Sequence, residues 1–112
     1  MELDLDYFEQ ILAREAMTDS AYLNAISDYV KPEFFDDARI AKYFEIVKDI
    51  YEKRQTLPTL TEIRSYLTTD DLKNGFKTLL LSFKDLDKNL DKAELYENTE
   101  KFLKEKKMFP KY

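Results

Sequence analysis

Paired carboxylates are the side chains in this sequence whose type and spacing could do chemistry. Two acids that converge in a cleft can act as general acid and base or hold a magnesium ion. The pairs are Asp36 with Asp37, Asp70 with Asp71, Asp4 with Asp6, and Asp85 with Asp87. Each pair also lies at the start or end of a predicted helix, where an acid caps the backbone and offsets the helix dipole. We favour the capping interpretation and expect no catalytic residue and no metal ligand.

The residue types that build most other active sites are missing. The 112 residues contain no His, no Cys, no Trp and one glycine, Gly75. Without His or Cys the chain has no imidazole or thiol nucleophile and no zinc site of the usual kinds. One glycine cannot form a phosphate-binding P-loop or a dinucleotide-binding turn, which need several. We therefore expect a protein that binds a partner, with no cofactor and no enzymatic activity.

The net charge of −5 is unevenly distributed along the chain. Residues 1–30 carry seven acids and one base, Arg14, whereas the remainder is close to neutral and the segment 101–111 is basic. An acidic surface opposes nucleic-acid binding, and Lys residues at a helix end are favoured by the helix dipole. We expect no strong nucleic-acid binding; phosphate contact by the basic segment is the alternative. No stretch resembles a secretory signal or membrane span, so we expect no membrane association and a cytoplasmic location.

The hydrophobic pattern predicts an all-α fold and a single domain over residues 1–112, because strand alternation and glycine turns are absent. Residues 1–68 are expected to form a head of about four helices. These helices cover about 5–17, 19–30 and 36–54, and a short fourth is opened by a Thr59–Glu62 capping box. Pro32 breaks the chain before the third helix. The predicted core residues are Phe8, Phe34, Phe44, Val47, Phe76, Phe83 and Phe102.

Residues 69–112 predict a long antiparallel helical hairpin. Apolar residues recur over 69–87 at alternating spacings of four and three, which is a heptad seam: Leu72, Phe76, Leu79, Phe83 and Leu86. A capping box from Asp91 to Glu94 opens the second helix, in which Leu95, Phe102 and Phe109 are seven residues apart. We expect the two helices, joined by residues 88–90, to close on each other through these seams.

Four residues of this hairpin are candidates for self-association: Gly75, Leu81, Tyr96 and Leu103. Leu81 lies about 200° around the helix from the seam residue Leu79, and Tyr96 and Leu103 form a second stripe. Gly75 has no side chain, so a partner helix could approach it closely. Apolar surface left over on a small domain indicates an interface. The alternatives are that the head packs over these residues and that Gly75 is tolerated on an exposed face.

Five stretches of the sequence are informative when taken together: residues 8–12 (FEQIL), 29–35 (YVKPEFF), 43–51 (YFEIVKDIY), 57–63 (LPTLTEI) and 100–109 (EKFLKEKKMF). They resemble the N-terminal domain of DnaB-type replicative helicases, in the tailed-phage branch. The resemblance extends over nearly the whole chain, and no single stretch is diagnostic. Many bacterial members place a His-Arg pair just ahead of the aromatic residue of the third helix, where this chain has Ile40 and Ala41. That departure favours a phage protein over a bacterial one.

The resemblance implies a helical head and hairpin without a catalytic role. Such a domain forms the collar of a hexameric helicase, pairs its hairpins between subunits, and engages primase or a helicase loader. A motor domain with a P-loop would belong to the parent protein. The segment 109–112 has no capping signal, which is consistent with a domain edge. The main alternative is an unrelated helical protein-interaction or regulatory domain. A small enzyme or nucleic-acid binder is a third possibility.

Overall fold

The computed structural model describes residues 4–86 and 91–107, and this part of the chain consists of helices and their connections. The all-α prediction is confirmed. In order, the described elements are α1 Leu5–Thr18, α2 Ser20–Ile26, a first 3₁₀ turn Pro32–Phe34, α3 Ala38–Arg54, α4 Leu60–Ser65, α5 Asp70–Ser82, a second 3₁₀ turn Phe83–Asp85, and α6 Lys92–Lys107. Within the described residues, no helix has both the length and the apolar character needed to cross a membrane.

Side chains at the helix starts explain where the helices begin. Asp37 accepts hydrogen bonds from the backbone N–H groups of Arg39 at 2.9 Å and Ile40 at 3.4 Å, which opens α3. Thr59 and Glu62 form both hydrogen bonds of the predicted capping box, at 3.0 and 3.1 Å. These side chains satisfy backbone donors that have no partner within the helix.

The centre of the core is an aromatic cluster formed by Phe8, Phe35, Phe44 and Phe102. The ring centroids of Phe35 and Phe44 are 5.2 Å apart, those of Phe35 and Phe102 5.7 Å, and those of Phe8 and Phe102 5.9 Å. The cluster joins α1, the residue that follows the first 3₁₀ turn, α3 and α6. Five of the predicted core residues are buried: Phe8, Phe44, Val47, Phe76 and Phe102.

Phe34 and Phe83 were predicted to be core residues and are only partly buried against the core. Phe34 ends the first 3₁₀ turn, and the neighbouring Phe35 turns its ring inward in its place. Phe83 begins the second 3₁₀ turn, which ends the regular spacing of α5. The next buried apolar side chain is therefore that of Leu86.

The predicted division into a head and a separate hairpin is not confirmed. α5 packs on α3, where the Phe76 and Tyr43 rings are 5.2 Å apart, and α6 packs on α1 and the first 3₁₀ turn. Most of the described seam residues are buried and two, Leu72 and Phe83, are partly buried, but their partners are helices of the head. A heptad seam needs an apolar surface opposite it, and α3 and α1 provide one. The predicted connection 88–90 and Phe109 lie outside the described residues.

Candidate interaction surface

The four residues predicted to mediate self-association belong to two helices that pack on different elements. Gly75 and Leu81 belong to α5, which packs on α3, whereas Tyr96 and Leu103 belong to α6, which packs on α1. Leu81 is 54% exposed and Tyr96 is 41% exposed, while Leu103 is half-buried against the core. Leu81 and Tyr96 are therefore the two members that a partner can reach.

Gly75 faces α3 of its own chain, so α3 is the helix that approaches it closely within the domain. A Cβ atom on Gly75 would lie 2.6 Å from Tyr43 Oη and 2.9 Å from Arg39 Cδ. The Tyr43 side chain is held there because its hydroxyl donates to the Leu72 carbonyl at 2.6 Å. Burial raises the pKa of Tyr43 to about 12, so the hydroxyl keeps its proton for this hydrogen bond. Gly75 thus permits the close approach of α3 and α5.

A shallow cleft of about 280 Å³ opens beside the α3–α5 contact. Several of its lining side chains are polar: Gln10, Arg39, Asn74, Thr78 and Ser82. Arg39 lies 3.8 Å from a carboxylate oxygen of Asp37 and 3.6 Å from one of Asp71, so acids of this chain balance its charge. Among the described residues, no three His, Cys, Asp or Glu side chains are placed to hold a metal ion. The cleft therefore offers hydrogen-bonding groups to a partner side chain.

The inner face of α6 carries a pattern that the sequence analysis did not recognise. Five residues at heptad spacing form this docking seam: Lys92, Leu95, Thr99, Phe102 and Lys106. Leu95, Thr99 and Phe102 are buried, and the two Lys side chains reach acids on neighbouring elements. The seven-residue spacing of Lys92, Thr99 and Lys106 was the available signal. Charged residues on an amphipathic helix are ordinarily assigned to its solvent face, which hid the pattern.

At the start of the docking seam, Lys92 joins α6 to the junction of α1 and α2. Its Nζ donates to Glu15 Oε1 at 3.1 Å and to Asp19 Oδ2 at 2.8 Å. These hydrogen bonds raise the pKa of Lys92, and the bond from the ammonium group lowers the pKa of Asp19. Glu15 also accepts from Arg14 Nε at 2.9 Å. The Glu15 carboxylate is therefore shared between two cations.

In the middle of the docking seam, two buried hydroxyl groups join α6 to α2. The Tyr22 and Thr99 oxygens are 2.7 Å apart. Thr99 Oγ1 donates to the Leu95 carbonyl at 2.8 Å, so Tyr22 is the donor in the bond between the hydroxyls. Burial raises the pKa of Tyr22, which keeps this proton in place. The ring of Tyr96 lies 5.5 Å from the Tyr22 ring and extends the contact toward the surface.

At the end of the docking seam, Lys106 joins α6 to the start of α3. Its Nζ lies 2.7 Å from Asp36 Oδ2 and 5.9 Å from the centroid of the Phe102 ring. The backbone N–H groups of Asp36 and Asp37 donate to the buried carboxylate of Glu9 at 2.8 and 3.2 Å. Burial raises the pKa of Glu9. Polar contacts thus tie α1, the start of α3 and the end of α6 together.

Comparison with protein-family models, curated proteins and solved structures found no match to this chain. The basis for a functional proposal is therefore the geometry of the described residues together with the resemblance of the five sequence stretches.

Proposed function

We propose that this chain is a non-catalytic helical domain that acts through protein contacts, as the N-terminal domain of a DnaB-type replicative helicase of the tailed-phage branch. In this proposal the domain scaffolds the hexameric ring and recruits primase or a helicase loader. ATP hydrolysis belongs to a motor domain of the parent protein. The setting is the cytoplasm of a bacterial host.

The observation that carries this proposal is the position of the stretches that resemble the family. Four of the five stretches each supply one ring to the aromatic cluster of Phe8, Phe35, Phe44 and Phe102. The fifth stretch supplies Ile63, which is buried in the same hydrophobic core. The resemblance therefore lies in residues that pack together, as a shared fold requires. The role in replication follows from the resemblance.

Copies of the domain are proposed to meet through α5 and α6. Leu81 on α5 and Tyr96 on α6 are the exposed large apolar side chains of these helices among the described residues. The finer arrangement that we propose for the ring is a pairing of α5 and α6 with those of a neighbouring subunit, as an antiparallel hairpin.

An unrelated helical interaction or regulatory domain is the second candidate. The observation that favours it is the packing of α5 on α3 and of α6 on α1, which makes the six helices of the described residues parts of one bundle. A regulatory domain needs no separate hairpin. Both candidates act through protein contacts, and they differ in whether a helicase motor belongs to the same protein.

Sedimentation equilibrium over a range of concentrations tests the self-association that the proposal requires. We expect the parent chain to form oligomers and the Leu81→Asp variant to shift toward monomer, because the charge would be desolvated at the contact. Leu60→Asp is the matched control, since Leu60 is 45% exposed but lies on α4. Both variants should keep the far-ultraviolet circular dichroism of the parent.

Two results would contradict self-association through Leu81 of α5. One is a parent chain that stays monomeric up to about 1 mM, the effective concentration that a short tether provides within a ring. The other is equal weakening by Leu60→Asp and Leu81→Asp, which would indicate a general effect of added charge. Leu103→Asp is less suitable than Leu81→Asp, because Leu103 packs against the core and its loss would also destabilise the fold.

A further inference from the structure

Beyond its first turn, α5 carries positive charge only, and so does the start of the turn that follows it. Residues 72–84 include three Lys and no acid, although the net charge of the chain is −5. Lys73, Lys77 and Leu81 are four residues apart, so they lie along one face of α5. Lys84 follows in the second 3₁₀ turn, and all four side chains are exposed. These four residues define the lysine face of the domain.

The first half of α6 carries a surface of the opposite charge. Residues 93–100 include three Glu and no base. Glu94, Glu97 and Glu100 follow each other at three-residue spacing, which makes successive members neighbours on the helix surface. All three are exposed, and so is Tyr96 between them in the sequence. These four residues define the glutamate face of the domain.

The two faces have little counter-charge within one chain. Among the described residues, none of the three Lys of the lysine face forms an ion pair. In the same part of the chain, Glu100 is the one ion-paired member of the glutamate face, and its partner Lys104 is 3.6 Å away with both side chains more than 70% exposed. α5 packs on α3 and α6 packs on α1. The charges of both faces are therefore available to a partner.

The chemistry of the two faces points to a second copy of the chain as that partner. Leu81 is 54% exposed among the positive charges, and Tyr96 is 41% exposed beside the negative ones. The faces thus match each other in charge, and each offers one apolar side chain to the other. Contact between two lysine faces, or between two glutamate faces, would place like charges together, which is unfavourable. A nucleic acid would fit the lysine face alone, whereas a second copy fits both faces.

We propose that the lysine face of one copy binds the glutamate face of a neighbouring copy, with Leu81 of the one against Tyr96 of the other. The proposal rests on the self-association part of the proposed function and names the surface of the neighbour that each helix meets. Opposite charges at the rim of such a contact fix its orientation and are screened by salt. The association therefore weakens as the salt concentration rises.

A charge-swap mixing experiment tests this pairing. The lysine-face variant carries three reversals: Lys73→Glu, Lys77→Glu and Lys84→Glu. The glutamate-face variant carries the opposite three: Glu94→Lys, Glu97→Lys and Glu100→Lys. Within either variant alone, the two faces have the same charge and repel. In the mixture, each face meets a face of opposite charge on the other variant, and a chain with all six changes is again matched to itself.

A third variant controls for the change in net charge. It carries three reversals at exposed positions outside both faces: Lys31→Glu, Lys42→Glu and Lys53→Glu. Its net charge equals that of the lysine-face variant, because each carries three Lys-to-Glu changes. Its two faces are unchanged, so it should associate more strongly than the lysine-face variant does. Circular dichroism and thermal melting verify that every variant keeps the fold, as expected for changes at exposed side chains.

Sedimentation equilibrium and native mass spectrometry give the readout. We expect the apparent dissociation constant of either face variant alone to exceed that of the parent by at least about tenfold. The mixture should form oligomers with equal numbers of the two variants, and its affinity should return close to that of the parent. The chain with six changes should associate as the parent does. The parent itself should dissociate further when the salt concentration is raised.

A mixture that stays dissociated would overturn the pairing of the two faces. So would dissociation of the lysine-face variant without that of the glutamate-face variant, or equal weakening by the net-charge control. A parent chain that oligomerises only after addition of a single-stranded oligonucleotide would assign the lysine face to nucleic acid and would also overturn the pairing. In the first three cases a parent that still forms oligomers leaves the self-association in place. A parent that stays monomeric removes both proposals.

Discussion

Replacement of Gly75 by Ala is a sharp test of the packing between α3 and α5. In an exposed helix this change is stabilising by about 1 kcal/mol, because Gly has the higher conformational entropy in the unfolded chain. Here the new methyl group would lie 2.6 Å from Tyr43 Oη and 2.9 Å from Arg39 Cδ. The gain in helix propensity and the steric clash therefore oppose each other at this position. The sign of the change in the free energy of unfolding shows which effect is larger.

The two neighbours of Gly75 differ in how easily they can move. Arg39 is a flexible and exposed side chain, so its displacement costs little. The Tyr43 side chain is fixed by the Phe76 ring at 5.2 Å and by the hydrogen bond to the Leu72 carbonyl at 2.6 Å. Overpacking costs about 1–3 kcal/mol and the lost hydrogen bond about 1 kcal/mol. After the helix gain is subtracted, Gly75→Ala should destabilise the domain by about 1–3 kcal/mol.

Urea unfolding followed by circular dichroism measures this difference. Asn74→Ala, at an exposed position of the same helix, reports the propensity gain without the clash. Tyr43→Phe removes the nearest atom, so in that background Gly75→Ala should approach the stabilisation of about 1 kcal/mol expected from helix propensity, and the double-mutant cycle isolates the contact. A Gly75→Ala variant as stable as Asn74→Ala, or one equally harmful with and without the Tyr43 hydroxyl, would refute the close approach of α3 and α5.

Two further predictions concern the core and the buried acid. Phe102→Ala should lower the free energy of unfolding by about 3–5 kcal/mol, because the Phe102 ring joins α6 to the aromatic cluster. Phe34→Ala should lower it clearly less, since Phe34 is only partly buried. Equal losses in thermal or urea unfolding would contradict the assigned burial. Glu9→Gln should cost about 1–3 kcal/mol at neutral pH, because an amide NH₂ group cannot accept the N–H of Asp36 or Asp37. The folded-state pKa of Glu9 is raised above 4.5, so the folded chain binds this proton more tightly than the unfolded chain does. The contribution of Glu9 to the free energy of unfolding therefore falls as pH rises through the folded-state pKa. Urea unfolding at a series of pH values should show this decline in the parent and not in Glu9→Gln, and identical pH profiles would contradict it.

Local features of the fold could be predicted from the sequence because short-range rules determine them. The Thr59–Glu62 capping box and the start of α3 at Asp37 depend on residues within one helical turn. The end of α2 was harder to predict. The helix stops at Ile26 rather than near residue 30, because residues 27–29 form a turn before Pro32.

The pairing of helices distant in sequence could not be predicted, because a heptad seam indicates that a helix packs on an apolar surface but not which element provides that surface. The seam residue Phe76 fits an apolar surface on α6 as well as it fits α3, where the structure places it. The same ambiguity affected Gly75, since a missing side chain indicates close approach but not which helix approaches. Lys92 and Lys106 both bond to acids of neighbouring elements, and their charge alone does not predict these pairings. The four candidate self-association residues were expected on one hairpin, but their two helices pack against different elements.

The measurement that most directly tests the proposed identity is sequencing of the coding region that follows the codon of Tyr112. We predict a linker and then a motor domain with the P-loop pattern G-x-x-x-x-G-K-[ST], which binds the phosphates of ATP in a RecA-like helicase motor. A termination codon directly after Tyr112, or a following domain without such a pattern, would contradict the helicase assignment.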